Sequence, residues 1–360
     1  MPIQPEILNK QISDLWVTLA RRADGPSAGV VRSSAMTLIA LVDQEQDSAR
    51  LSETLAGLMR SHPNRAIVVH VNSGDSEDLN AEVRAQCWLP SGQQKQLCSE
   101  QIEINASKKS FEDLPSVLLP LLVPDLPVVL WCRSERSTQL PAFNELIALA
   151  PRVIFDVASF EDPLSALKRI EGISKSGYAV TDLNWTRLTR WRDMIAQVFE
   201  NVACRKDLPR FRTITIDYFA NPVSPVPVAA IFMAGWLVKC LGWTGLGRSR
   251  REGGKRILEF DDGARLIYQI VGPGGAGSHL AGLSIEASDD PAIEIKLTRS
   301  QDRYLDVVVN AAGNPPVENR GSFPPSDDVS VLGEELSIAR RDEMFIYSLP
   351  SAIRIAGHWT

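Results

Sequence analysis

The sequence is poor in the residues that most enzyme chemistry draws on. It holds four histidines, His62, His70, His279 and His358. None stands in an H-E-x-x-H, H-x-x-E-H or Cys/His spacing, so a metal site would have to gather its ligands from distant positions. The five cysteines, Cys87, Cys98, Cys132, Cys204 and Cys240, include no C-x-x-C pair. An odd count does not suit a secreted disulfide framework, and a reducing compartment is expected. No serine lies in a G-x-S-x-G setting, which speaks against acyl transfer on a nucleophile elbow. An excess of positive charge is also missing: 38 basic and 44 acidic side chains leave a net charge of -6. That balance argues against a nucleic-acid or anionic-membrane surface as the main partner. The longest apolar run, Pro225 to Val238, falls short of a hydrocarbon core about 30 Å thick at about 1.5 Å rise per residue, and reads as a buried helix. The opening MPIQPEILNKQISDLW has no basic region followed by an apolar stretch, so cytoplasm is the expected location. No catalytic, cofactor or metal residue is assigned, and a non-enzyme is expected.

What is present is an ordinary globular composition. With 360 residues, 44% of them hydrophobic and 23% charged, the chain is long enough for two cores and too apolar for wholesale disorder. Pro5 to Ala23 carries Leu8, Ile12, Leu15, Trp16 and Leu19 at helical spacing, with Asp24-Gly25-Pro26 as a stop. Met36 to Val42 and Arg65 to Val71 are apolar runs without alternation, as in strands covered on both faces, with a helical stretch between them. Glu82 to Leu89 and Leu97 to Asn105 suit a hairpin. A turn at Gly92-Gln93 would set Cys87 opposite Cys98 across it. Such a pair is geometrically able to bond, although nothing nearby lowers a thiol pKa, and two buried inert thiols are the plainer expectation. Helix and strand then alternate to Val157, and Asp162 with Pro163 opens another helix that Gly177 closes.

This succession predicts an α/β N-terminal domain, residues 1–178, with a mostly parallel doubly wound sheet and an inserted hairpin. Past it come a helix from Asp182, the buried helix and a run of strands from Thr213 to Asn310. They predict a C-terminal α+β domain, residues 179–360, with an antiparallel sheet. Gly242 to Gly254, Gly272 to Ser278 and Ala311 to Asp328 read as loops, and Val331 to Arg341 as a last helix.

Two glycine motifs fail as phosphate cradles. Gly272 to Gly277 fits G-x-G-x-x-G literally, yet strand-like residues follow where a fingerprint needs a helix. Gly253-Gly254-Lys255-Arg256 lacks the leading glycine and the trailing hydroxyl of a P-loop. With Arg248, Arg250 and Arg251 it is still a cluster of positive charge, able to meet an acidic surface or a phosphate. In a parallel sheet, ligands collect at the carboxyl ends of strands, where Asp43, Asn72, Arg133 and Asp156 fall. These four can bind a sugar phosphate or nucleotide with Arg133 as anion clamp, or simply cap the helices that follow. His62, just past a helix, is expected to offset the negative end of its dipole.

The densest signal lies in two Trp/Arg segments, Leu121 to Arg136 (LLVPDLPVVLWCRSER) and Asp182 to Glu200 (DLNWTRLTRWRDMIAQVFE). In the first, Trp131 and Arg133 fall on one strand face and can stack. In the second, Trp185, Leu188 and Trp191 share a stripe with Arg187 and Arg190 on another face. The rings suit core packing. Trp and Arg are also the residues that carry most binding energy at protein contacts, which makes Trp131, Arg133, Trp185, Arg187, Trp191 and Arg192 a candidate partner interface.

The two blocks together, with the RSSAMTLIAL and RVIFD strands, resemble the OpcA family of glucose-6-phosphate dehydrogenase assembly proteins. The resemblance covers most of the chain. It implies a non-catalytic protein that binds glucose-6-phosphate dehydrogenase, favours its active oligomer and supports NADPH production in the pentose phosphate pathway. A small-molecule sensor built on the strand-end cluster is the alternative.

Overall fold

The β2 strand of the first sheet, Met36–Asp43, is buried along nearly its whole length, as its unbroken apolar run requires when both faces are covered. A computed structural model describes residues 5–22, 29–43, 48–76, 79–91, 95–220, 227–273, 280–287, 289, 292–300, 303–323, 327–338 and 340–359. The chain divides into two compact units. The first comprises residues 1–156, 177–181 and 328–341, and the second residues 157–176, 182–327 and 342–360.

The first unit is built on β1 (Gly29–Arg32), β2, β3 (Asn64–Asn72), β4 (Asn80–Trp88), β5 (Lys95–Ser107), β6 (Val128–Cys132), β7 (Arg152–Phe155) and β8 (Ala179–Asp182). They lie in the order β1-β5-β3-β2-β6-β7-β8, with β4 beside β5. The pairs β1/β5, β5/β3, β3/β2, β2/β6 and β6/β7 are parallel, and β4/β5 is the antiparallel hairpin. The α/β class with a mostly parallel sheet and an inserted hairpin is therefore the observed one. The helix Asp328–Ser337 returns from far along the chain to pack on Ser48–Leu58. Gly57 makes room for it, since a Cβ there would come within 2.8 Å of the Val329 methyl carbons.

Across the hairpin, Cys87 pairs directly with Cys98, as their numbers require, and the two sulfurs are bonded. The expectation of two buried inert thiols is corrected: only Cys98 is buried, and Cys87 is exposed. Antiparallel register holds the two Cα atoms 4.1 Å apart, near enough for the bond. The turn residues Gly92 and Gln93 lie outside the described residues. Replacing both cysteines with alanine is expected to lower stability by up to about 3 kcal/mol, because a short closed loop is released in the unfolded chain. A shift of the urea midpoint at constant slope would measure it.

The second unit carries β9 (Thr213–Ala220), β10 (Leu246–Glu252), β11 (Lys255–Phe260), β12 (Arg265–Pro273), β13 (Leu280–Ala287), β14 (Ile293–Ser300), β15 (Tyr304–Ala311) and β16 (Val317–Ser322), in the order β10-β11-β12-β9-β13-β14-β15-β16. Its pairs are antiparallel except β12 with β9. The exception follows from the chain path, because a parallel neighbour needs a long crossover. Here the buried helix Val228–Cys240 and the β10–β11 hairpin stand between the two strands. That helix meets Glu343–Ala356 closely at Gly235, where a Cβ would come within 2.7 Å of the Ala352 backbone nitrogen.

Four sequence expectations are corrected. Gly242 to Gly254 and Ala311 to Asp328 are not plain loops, for they contain β10 and β16, the two edge strands of the second sheet. Nearly every residue of both is exposed, so no apolar alternation marks them, and their charges suit unpaired edges. The helix expected over Val331 to Arg341 is present as Asp328–Ser337, but it is not the last. Asp328–Ser337 is followed by Glu343–Ala356, whose internal Pro350 masks it in the sequence. The helix foreseen from Asp182 is two, Leu183–Thr186 and Thr189–Glu200. The Thr189 hydroxyl donates to the Thr186 carbonyl at 2.7 Å, which diverts an acceptor the ladder would use. Finally, Gly253 and Gly254, both with positive φ, form the tight turn of the β10–β11 hairpin, in the manner of turns that demand glycine. The Gly272-to-Gly277 motif lies largely outside the described residues, and the strand β13 follows it.

Candidate functional site

Asp43, Asn72, Arg133 and Asp156 end or follow β2, β3, β6 and β7, four neighbouring parallel strands, so the sheet brings them to one edge. The order reverses between β2 and β6, the usual position of a ligand crevice. Their side chains are turned toward their own chain. Asp43 Oδ1 accepts from the Ser134 hydroxyl at 2.7 Å, and Ser134 Oγ in turn accepts from Ser137 N at 3.0 Å as the N-cap of Glu135–Thr138. Asn72 Oδ1 accepts from Gly74 N at 2.9 Å, a local turn. Asp156 is 7% exposed, and its backbone N–H donates to the Cys132 carbonyl at 3.1 Å.

Arg133 stacks on Trp131, its guanidinium carbon 5.0 Å from the ring centroid, as their shared strand face foretold. Its Nη2 lies 3.7 Å from Asp328 Oδ2, and Arg50 Nε reaches the same oxygen at 3.4 Å. The clamp foreseen for an outside anion thus faces an internal carboxylate. Sequence reasoning missed Asp328 because it stands at the end of a stretch read as loop, nearly two hundred residues from Arg133. Ser134 carried a legible signal, a serine directly before a short helix with glutamate in its first turn.

His62 differs from expectation. Burial, then Arg152 beside it, lowers its pKa, so the charged form that would complement a helix end is disfavoured. Its Nε2 lies 3.3 Å from the Ser337 hydroxyl. His70 lies 3.4 Å from Glu103, and His279 is outside the described residues. Among the described residues no group of three His, Cys, Asp or Glu is placed to hold a metal ion, and no helix is long and apolar enough to cross a membrane.

The second Trp/Arg segment is anchored from within. Asp182, fully buried, accepts from Asn184 N at 2.8 Å, Asn184 Nδ2 at 2.7 Å and Val157 N at 3.1 Å. Trp185 donates its indole N–H to Asp342 Oδ2 at 2.7 Å and packs between Phe232 and Phe345, with ring centroids 6.3 and 5.6 Å away. Trp191 meets Phe323 edge-on. Trp131, Trp185 and Trp191 are each at most 2% exposed. Each of the three rings fills space among its own chain's side chains. The arginines stand differently. Arg192 lies flat on Trp185 with its guanidinium carbon 3.6 Å from the centroid. Arg187 Nη1 donates to Asn184 Oδ1 at 3.2 Å. Both are half-buried, and Arg190 beside them is exposed. Trp185 thus holds Arg192, and Asn184 holds Arg187.

Two family models match the chain, described as the glucose-6-phosphate dehydrogenase subunit N-terminal domain over residues 56–172 and the C-terminal domain over residues 178–349. Among curated relatives, a "Putative OxPP cycle protein OpcA" of Nostoc punctiforme is 27% identical over 215 residues, covering 59% of this chain and 45% of the relative. The protein so named in Synechococcus elongatus is 25% identical over 322 residues, covering 86% of this chain and 71% of the relative. This chain thus spans less than half of the Nostoc relative's length. Among solved structures, an oxidoreductase from Sinorhizobium meliloti aligns with a TM-score of 0.49 at 12% identity, over 90% of this chain and 96% of that one.

Proposed function

Because this chain belongs to the OpcA family of glucose-6-phosphate dehydrogenase assembly proteins, we propose that it binds that dehydrogenase, favours its active oligomer and carries out no bond-making itself. The observation that carries the reading is the match of both family models along most of the chain. Physically, such an activator must bind the working state of its partner more tightly than the idle state, since equal affinity shifts nothing. A difference of about 1–3 kcal/mol gives a several-fold to hundred-fold effect.

For the contact we propose the arginines Arg187 and Arg192, with Trp185 beneath Arg192 as its support. Guanidinium groups held flat on rings lose little side-chain freedom on binding and present planar donors to carboxylates. The strand-end cluster is not favoured as a sensor, because Asp43 accepts from Ser134 and Arg133 faces Asp328.

The test mixes this protein with glucose-6-phosphate dehydrogenase from the same cell and follows activity and native mass. Wild-type protein is expected to raise activity and to co-migrate with the dehydrogenase. The double reversal R187E/R192E is expected to abolish co-migration. Since Arg192 also packs on Trp185, the single variant R187E is tested beside it and is expected to weaken binding about tenfold or more. Unchanged binding in both variants would remove this surface from the proposal, and no effect of the wild type on the dehydrogenase would remove the function.

A further inference from the structure

The second unit holds a cavity of about 370 Å³ whose chemistry the partner reading does not use. Register builds it. Arg251 of β10 lies directly opposite Arg256 of β11, and Arg256 directly opposite Tyr268 of β12, so three side chains stand in one row on one face of the sheet. Tyr218 from β9 and Trp359 close the other side, the three aromatic rings meeting edge to face at centroid distances of 5.2 to 6.4 Å. Ile270 adds an apolar wall.

Several features of this cavity ask for an anion. Two guanidinium groups directly opposite each other across a hairpin repel, a placement that is destabilising without a shared counter-charge. Burial, then the nearby Arg251, holds the Arg256 pKa below its ordinary value. The residues described as lining the cavity include no acid. Arg256 stacks on Trp359 at 4.4 Å and donates to the His358 carbonyl, so it is fixed in place. Finally, the Tyr268 hydroxyl, on a side chain 1% exposed, and Trp359 Nε1 are buried with no hydrogen-bond partner among the described residues. A buried hydroxyl left so lowers stability, and its retention calls for a use.

We propose that this cavity binds a phosphate monoester of a small ring compound, with the phosphate between Arg251 and Arg256, the Tyr268 hydroxyl and Trp359 N–H as neutral donors, and the ring against Tyr218 and Ile270. A phosphate dianion matches two guanidinium groups in charge and in fork geometry. The volume suits a sugar phosphate or a nucleoside monophosphate. The site is independent of the dehydrogenase contact, and its test uses this protein alone.

Calorimetric titration with a hexose monophosphate, adenosine monophosphate, the free hexose and inorganic phosphate separates the sources. At least one monoester is expected to bind saturably, the free hexose not to bind, and inorganic phosphate to bind more weakly than the monoester. Arg251→Glu, at an exposed position, is expected to weaken the monoester at least about tenfold. Tyr268→Phe keeps the ring and removes only the hydroxyl. It is expected to raise the melting temperature without ligand while weakening binding several-fold, a pair of opposite effects that a purely structural tyrosine would not give. Absence of saturable binding by either monoester overturns the proposal. So does binding that survives both variants, or that is lost instead in Asp43→Asn, which would place the ligand at the strand ends of the first sheet.

Discussion

Replacing Glu100 with alanine is expected to lower the stability of the first unit by about 3–5 kcal/mol, because it strips a buried cation of its counter-charge. Glu100 sits on β5 with its side chain wholly buried. Its Oε1 accepts from the Trp16 indole at 2.8 Å and lies 3.4 Å from Arg65 Nη2, and Arg32 pairs with the same carboxylate. Arg65, 7% exposed on its side chain, keeps the Leu121 carbonyl at 2.6 Å as a neutral acceptor once the carboxylate is gone. The same cluster ties β5 to β3, to β1 and to the helix Pro5–Arg22, so its loss is felt across half the sheet.

The pH dependence has a definite sign. Burial alone would raise the Glu100 pKa, but the Trp16 hydrogen bond and the charges of Arg65 and Arg32 outweigh it and the net shift is downward. A carboxyl whose folded pKa is depressed contributes stability in full above its unfolded value and loses it as pH falls through the folded one. Wild-type protein should therefore lose stability on the acid side of the ordinary carboxylate range. Glu100→Gln, which keeps the shape, should flatten that limb while lowering stability near neutrality. Guanidinium unfolding curves at several pH values read both. A loss below about 1 kcal/mol in the alanine variant would mean that water reaches Arg65 and takes the place of the carboxylate.

Glu100 also shows what the sequence conceals. The strands β2 and β3 are legible because burial on both faces leaves an apolar run, and Asp162 and Asp182 are legible as caps because a cap is a local device. The stacking of Arg133 on Trp131 follows from the two-residue period of a strand. Long-range polar pairing has no such period. The partners Glu100 and Arg65, Arg133 and Asp328, and Trp185 and Asp342 stand 35, 195 and 157 positions apart, and nothing in the local pattern of one names the other. Exposed edge strands fail for the opposite reason, since without a buried face they show no period at all. The cationic hairpin is intermediate. Its charge was visible in Arg250, Arg251 and Arg256, but only the register of β10, β11 and β12 shows that Arg251 and Arg256 share a face with Tyr268 while Arg250 pairs with Glu252 and Glu259.

Trp185→Ala is expected to be as damaging to the second unit as loss of Glu100 is to the first, at about 3–5 kcal/mol, through three separable effects. Removing the ring leaves a cavity between Phe232 and Phe345. It also takes the indole donor from Asp342, the residue whose other oxygen caps Glu343–Ala356 through Phe345 N at 2.9 Å. Third, it removes the platform on which Arg192 lies. Trp185→Phe divides these, keeping an apolar ring while losing the hydrogen bond to a carboxylate, and should cost about 1.5–3 kcal/mol. A double-mutant cycle with Arg192→Met isolates the stacking, expected at about 0.5–2 kcal/mol. If the phenylalanine variant matches wild type in denaturant midpoint, the indole bond contributes nothing and Asp342 caps its helix unaided. If the cycle shows no coupling, Arg192 is not held by the ring, and its guanidinium meets a partner without a pre-set orientation.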